Sequence, residues 1–598
     1  MKLSDYVAQT LAERGVRDLF LVSGGGIMHL LDSMGRHPDI SYHATYHEQA
    51  AVVAAEGYAR RTGRIGVALV TVGPGAANAV SGLPGAWVDS IPVIVLVGQV
   101  RQNIIADYRV ARQYGPQEAN TLDMARPVTK YAASVRDPVT VRRHIDLAFE
   151  HALSGRPGPV WLEFPLDVQG ANVEPAALEP YTEPQKVDGG SHLISAAAEV
   201  ATLLREHERP LIVGGNGVRL AHAEALLHEL LRVTGIPAVL PITAKDLIAE
   251  DDPALIGVFG TAGQRRANFA VQNCDALLVL GGGLNLQKCG FNVDNFAPNA
   301  TKILIDIDRQ QLYEQALKPD VAVLGDVAPF LKELISQKRA KPARPSARWL
   351  AACAEWKRRY PVITPDYRLD TGYVNSYLFM DTLSDCVRAS DTIVPGAGLD
   401  TVSAYQAFRV QRGQRVLISG WGSMGWDLPL SVGACVGSGA RTITITGDGS
   451  IQWNVHELQT IAHSQLPIKI FVFNNSGFSS IRATQNNFFE GRFVGSHPQS
   501  GVSNPDFAKL ASAYGLTHCR ISTNEELPTG IVEFLADDVP GICEVVLDAD
   551  QSISPKTSSF RRDDGTFESR PLEDMAPFLP REEVHYNMHL FDNPVTLK

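Results

Sequence analysis

The stretch that most constrains this chain runs from Arg441 to Gly477, RTITITGDGSIQWNVHELQTIAHSQLPIKIFVFNNSG. Its apolar, β-branched run from Ile443 to Thr446 predicts a buried strand. Gly447-Asp448-Gly449-Ser450 breaks the run. A segment of helical period follows, with Val455, Leu458, Ile461 and Ala462 on one face, and it stops at Leu466-Pro467. A second apolar strand, Ile468 to Phe473, then delivers Asn474-Asn475. In such a β-α-β unit both polar clusters sit at the carboxyl ends of neighbouring parallel strands, where open α/β sheets bind ligands. Asp448 and Asn475 are hard oxygen donors suited to Mg2+. Gly449 and Ser450, expected to open a helix, can turn N–H groups and the Ser450 hydroxyl toward a diphosphate.

Around this unit the rest of the chain has the same grammar. At 598 residues it is too long for one core and predicts three or four domains. Helices alternate with short apolar strands (FLVSGG, IGVALVTVGPG, IPVIVLVGQ, VWLEFP) over residues 1–168. A second α/β unit covers 190–338, with PLIVGGNG, DALLVLGGG and KILIDID, and a third covers 368–550. The fold class expected is therefore α/β, as three doubly wound parallel-sheet domains. The connector at 170–190 is rich in Pro and Glu, and QKRAKPARPSAR after the second unit reads as a solvated linker. Residues 551–598 show no clear period, which fits a surface-hugging tail or an arm over the site or another subunit. A net charge of -11 argues against nucleic acid as partner. The seven cysteines lack CxxC pairing, which fits a reduced, cytoplasmic protein. The most apolar region, 65–97, is cut by prolines and reads as core strands rather than a membrane span.

GDGS followed at this interval by NN resembles the thiamine diphosphate signature of the pyruvate oxidase and acetolactate synthase family. The resemblance extends over nearly the whole chain before the tail. It is densest in YHEQAAVVAAEGYAR, in VTVGPGAANAVSGLPGAWVDSIPVIVLVGQV and from Ser419 to Asn475. It implies pyrimidine-binding, central and diphosphate-binding domains in that order.

The resemblance also implies roles for particular residues. Glu48 would hydrogen-bond the aminopyrimidine and set the tautomer that removes a proton from the thiazolium, so the cofactor carries the carbanion chemistry. Such a glutamate is expected to be buried. The Gly422 carbonyl would accept from the pyrimidine amino group, with Ser423 beside it, and Met424 would wedge between the rings. Gly73 and Asn78 match a loop that closes over the cofactor from a second subunit. Asp448, Asn475 and Gly477 would hold the cation, with Gly398, Gly449 and Ser450 near the diphosphate. Because Glu48 and Asp448 lie on different domains, a homodimer or homotetramer is implied.

Reaction type turns on what is missing. Aldehyde-releasing decarboxylases of this kind resemble one another in a His-His pair and an Asp. The matching places here read Pro116-Gln117 and Ser23-Gly24-Gly25-Gly26. Without those acid–base groups, the two-carbon unit from pyruvate is expected to attack a second carbonyl. Gln117 would contact it, and the Gly25 and Gly26 backbone would approach the thiazolium. Where acetolactate synthases carry two aromatics and an arginine for the acceptor, this chain has Pro116, Thr484 (before Gln485) and Lys288. Lysine lacks the bidentate fork of arginine. A bulkier acceptor, such as a nucleotide-linked ketosugar, and drift within acetolactate synthases both remain open. So do a flavin-using pyruvate oxidase and a non-catalytic homologue. Gly214, Gly215, Asp306 and Asp326 match FAD contacts of the central domain, whereas Leu284 replaces an arginine there and Asp400 a histidine beside the diphosphate.

Overall fold

Apolar runs buried on both faces need helices above and below each sheet. The computed structural model describes residues 1–181, 190–340, 344–369, 371–562 and 564–592. It contains three six-stranded sheets. Each is parallel throughout. The fold class is the α/β, triply doubly wound one. In the first sheet the order across is Ser41–Ala44, Asp18–Leu21, Gly66–Val70, Val93–Gln99, Val160–Pro165 and Tyr131–Ser134. The third sheet repeats that order with Arg415–Val416, Thr392–Pro395, Thr442–Gly447, Ile468–Asn474, Gly541–Val546 and Thr517–Ile521. The middle sheet differs. Its first strand, Pro210–Gly214, lies beside its fourth, Ala276–Leu280, and the order reverses between them.

The two outer domains meet through topologically equivalent helices, Glu48–Thr62 and Asp427–Ser438, each following the second strand of its sheet. The first helix starts where His47 accepts from the Gln49 N–H at 3.2 Å, and it ends at Gly63, whose φ is 70°. Small residues let the backbones touch. A Cβ on Gly57 would collide with the Leu430 carbonyl, and one on Gly433 with the Ala54 carbonyl. Ala51, Ala55, Leu428 and Val432 close one apolar core across this contact.

Two expectations change here. The basic connector is not simply solvated, because helices Val327–Ala340 and Ala347–Arg359 take up both its ends. Trp349 and Trp356 of the second helix are buried. Residues 182–189 and 341–343 of the connectors lie outside the described residues. The tail, expected as a surface-hugging segment or an arm, is a folded addition to the central domain. It contains the hairpin Ser559–Arg561/Phe567–Ser569, a strand pair and the helix Arg581–Met588. Leu572 and Met575 are buried, and Asn268 donates to the Leu572 carbonyl at 2.9 Å. Its aperiodic sequence follows from short elements that bury few side chains, such as Met575 and Asn587.

Candidate active site

In the third domain the signature turn folds around its carboxylate. Asp448 is 2 % exposed. Its Oδ1 accepts from the Gly449 N–H at 2.7 Å. Its Oδ2 accepts from the Asn475 and Gly477 N–H groups, each at 3.0 Å, and from Asn504 Nδ2 at 2.6 Å. Burial raises the Asp448 carboxyl above its ordinary value against these donors. Asn475 Oδ1 is buried and has no hydrogen-bond partner. A carboxylate beside an unpaired amide oxygen on adjoining strand ends is a hard-donor set that fits Mg2+. Among the described residues no cluster of three His, Cys, Asp or Glu offers an alternative metal site.

Met424 and Phe478 close over Gly449, where a Cβ would lie 3.4 Å from Met424 Cε and would strike the Phe478 ring. Gly422 has a φ of 66° and open space around its Cα, and the Ser423 hydroxyl donates to the Met424 carbonyl at 3.2 Å. Gly398 caps the helix Leu399–Ala407 within reach of Ser480. Ser450 departs from expectation. Its hydroxyl donates to Asp427 at 2.7 Å and accepts from the Gly425 N–H at 2.9 Å, so it fastens two turns together rather than facing outward. The turn also leads into a short 3-10 segment, Ile451–Asn454, and the α-helix begins only at Glu457.

In the first domain the switch point between Asp18–Leu21 and Gly66–Val70 gathers the other half. The Gly26 N–H donates to Thr71 Oγ1 at 3.1 Å, and Gly25 and Gly26 form a single 3-10 turn. Glu48 Oε2 accepts from Asn78 Nδ2 at 3.0 Å, and Gly75 packs beside Glu48 Oε1. Gly73 abuts the carbonyl of Gln117, a residue held at a φ of 61°. Pro116 and Gln117 are exposed. The structure thus brings Gly25, Gly26, Glu48, Gly73, Asn78 and Gln117 together. In the single chain Glu48 is partly exposed and is the first residue of its helix.

The acceptor candidates do not converge. Gln485 is spent on the Val494 carbonyl at 2.9 Å and Ser496 Oγ at 2.8 Å. Thr484 is exposed and donates to the Ser480 carbonyl at 3.1 Å. Lys288 donates to the Gly283 carbonyl on a different wall, and its enclosed setting lowers its ammonium pKa. That wall belongs to a cavity of about 820 Å3 at the reversal point of the middle sheet. Asn216, Gly217, Gly282, Asp306, Asp326 and Arg156 line it, and burial raises the Asp306 carboxyl. This is the crevice where doubly wound sheets bind ligands, and the Gly217, Gly281 and Gly282 backbone lines it. Gly214 and Gly215 stand behind the wall, with Gly215 packed on the Gly281-Gly282 backbone. Leu284 is buried in the adjoining apolar core.

Asp89 of the first domain lines the same cavity. It accepts from the Gly420 N–H at 2.8 Å, from Ser419 Oγ at 3.0 Å and from Arg60. Asp89, Asp427, Arg482 and Asn504 were missed in the sequence. Only Asn504 carried a signal, as an Asn-Pro turn initiator.

Family comparison gives this geometry its context. The thiamine pyrophosphate enzyme N-terminal TPP binding domain matches residues 1–124, the central domain 197–334 and the C-terminal TPP binding domain 396–545. A probable acetolactate synthase large subunit of Methanocaldococcus jannaschii is 31% identical over 92% of this chain and 93% of its own length. The acetolactate synthase isozyme 2 large subunit of Escherichia coli is 32% identical over 93% of this chain and 97% of its own. With all three domains matched in order and both half-sites folded at strand ends, the chain belongs to the thiamine pyrophosphate enzymes and is an acetolactate synthase-like member of that family.

Proposed function

We propose that this enzyme is a Mg2+-dependent carboligase that decarboxylates pyruvate and adds the two-carbon unit to a carbonyl acceptor. The observation that carries the reading is the pairing of Asp448 with the unpartnered Asn475 Oδ1. Bound thiamine diphosphate supplies the carbon nucleophile; the chain's own groups hold and orient it. Asp448, Asn475 and the Gly477 backbone would hold the cation, and the glycine turn at Gly449 would admit the diphosphate. Met424 and Gly422 would support the bend, and Glu48 would hold a proton at the pyrimidine nitrogen.

Glu48 stands partly exposed beside Asn78. That exposure supports self-association, in which a second copy closes the site and desolvates the carboxylate. Near the reacting carbon, Ser23 to Gly26 and Gln117 supply no strong acid, which favours carbon–carbon bond formation over release of an aldehyde. The cavity of the central domain supports FAD in a non-redox role.

For the acceptor we favour a bulky ketone, including a nucleotide-linked ketosugar, because Pro116 and Thr484 leave the site without the aromatics of acetolactate synthases. Lys288 and Gln485 have partners within the fold, which weakens the case for either as a carboxylate grip. The second reading, acetolactate synthase itself, is favoured by the relatives' identity over nine-tenths of the chain. Among the described residues no helix is long and apolar enough to cross a membrane. All seven cysteines are free thiols, which is in keeping with a cytoplasmic enzyme. Mass spectrometry of products from pyruvate alone, and from pyruvate with ketones and nucleotide ketosugars, decides between the two acceptors. Peroxide release would instead identify an oxidase, and failure to form any carbon–carbon bond would remove the carboligase reading.

A further inference from the structure

Arg482 lies in the helix Ser479–Phe489 and is 5 % exposed. Its four terminal N–H groups go to backbone carbonyls rather than to a carboxylate. One terminal nitrogen donates to Asn475 O at 2.8 Å and Ala549 O at 2.6 Å. The other donates to Ser476 O at 3.2 Å and Ser496 O at 3.3 Å. Burial lowers the guanidinium pKa, with the charge of Asp448 opposing that effect.

The Ser476–Gly477 peptide shows what this arrangement does. In a trans peptide the C=O and N–H point in opposite directions within one plane. Arg482 holds the Ser476 carbonyl end, while Asp448 Oδ2 accepts from the Gly477 N–H end at 3.0 Å. The plane is pinned from both sides, and with it the turn whose Ser476 carries a φ of 63°. The Ser496 carbonyl, also held by Arg482, accepts from the Phe478 N–H at 2.9 Å, which fixes the far end of the turn.

We propose that Arg482 is the positioning residue for the cation loop, setting Asn475 and Gly477 in the orientation that a divalent ion requires without itself touching the ion. This inference rests on the reading of Asp448, Asn475 and Gly477 as ligands. Lysine cannot replace Arg482, since one ammonium cannot span four carbonyls on three segments.

The test uses the full chain with thiamine diphosphate and follows Mn2+ binding by electron paramagnetic resonance. Wild type, Arg482→Lys, Arg482→Gln and Asp448→Asn are compared, with melting of each metal-free chain measured alongside. Losses of about 10- to 100-fold in affinity are typical when a group that orients a ligand is removed. The Arg482 variants are expected to show such a loss with metal-free melting close to wild type, and excess Mg2+ is expected to restore turnover. Wild-type Mn2+ affinity in Arg482→Lys overturns the proposal, as does a loss of affinity that tracks a lowered metal-free melting point. If Arg482→Gln does not fold, Arg482→Lys, which keeps charge and stem, decides alone. Failure of the underlying reading looks different: Asp448→Asn would then bind Mn2+ as tightly as wild type.

Discussion

The carboxyl groups of Asp400 and Asp427 meet across Gly396: a Cβ built there would lie 2.5 Å from an Oδ2 of each. Both side chains are almost fully buried. Asp427 is supplied with donors, taking hydroxyl protons from Ser450 at 2.7 Å and Thr446 at 2.9 Å and the Leu428 N–H at 2.8 Å. Asp400 Oδ2 has none. Two carboxylates so close in a dry setting cannot both ionise, and Asp400, which has fewer donors and takes the Thr401 N–H at 2.9 Å on its other oxygen, keeps the proton. Burial first, and then the charge of Asp427, raise the Asp400 pKa well above the ordinary carboxylate value.

The sign of the resulting pH dependence follows directly. Below the ordinary carboxylate value the folded and unfolded chains are both protonated at Asp400, and its contribution to stability is fully present. As pH rises, the unfolded chain releases the proton first, and stability is lost until the folded pKa is passed. Asparagine is neutral throughout and escapes this loss. Asp400→Asn is therefore expected to melt several degrees above wild type at pH 8, with the difference shrinking toward pH 4. In a large domain, 1 kcal/mol corresponds to roughly 2–4 °C. A parallel offset at both pH values would show that Asp400 carries no such proton.

Glu48→Gln should abolish turnover while leaving cofactor and cation bound. The amide keeps the shape of the side chain and loses its ability to hold and return a proton. Removing a group of this kind costs on the order of 100- to 10000-fold. Steady-state kinetics together with cofactor binding by fluorescence check this, and near-normal activity in the variant would remove the mechanism.

Chelation gives a third test. Removing Mg2+ with EDTA should lower the melting point of the cofactor-loaded chain, because a ligand at 100 times its Kd stabilises by about 2.7 kcal/mol. In Asp448→Asn the same treatment should have little effect. A wild type insensitive to EDTA would mean that Asp448 and Asn475 hold no ion.

Much of this site was legible in the sequence because its logic is local. The β-branched runs gave the strands, Gly-Asp-Gly gave the turn, and the interval to Asn475 gave the neighbouring strand end. The direction of the Ser450 hydroxyl was not legible, because it depends on Asp427, 23 residues upstream in a segment with no periodic signal. Asn504 reaches Asp448 from 56 residues away on an irregular loop, where pattern says nothing about which way a side chain turns. The matching strand orders of the outer domains were hidden for a related reason. Topology constrains where elements go, while the side chains that fill each core are free to differ.

The helix contact between those outer domains should be intolerant of even one carbon. A Cβ at Gly57 meets the Leu430 carbonyl, and backbone cannot rotate away as a side chain can. Overpacking usually costs about 1–3 kcal/mol. Gly57→Ala is expected to sit at the upper end of that range and to split a single denaturation transition into two as the outer domains separate. A single transition with an unchanged midpoint would show that the helices move apart at little cost.

The tail offers the sharpest contrast between a segment laid on a surface and one that is part of a core. Asn587 is 1 % exposed. Its Oδ1 accepts from Trp356 Nε1 at 2.9 Å, and its Nδ2 donates to the Tyr360 hydroxyl at 2.6 Å, which in turn donates to Glu583 at 2.7 Å. Asn587→Ala would leave the Trp356 indole N–H buried without an acceptor, a loss of about 1–3 kcal/mol. Substitutions on a surface-laid strap usually stay within about 0.5 kcal/mol. Urea denaturation of the full chain distinguishes the two cases. A drop in midpoint with an unchanged slope would mean that the tail's last helix is integral to the central domain, whereas a change inside the smaller range would return the tail to the surface.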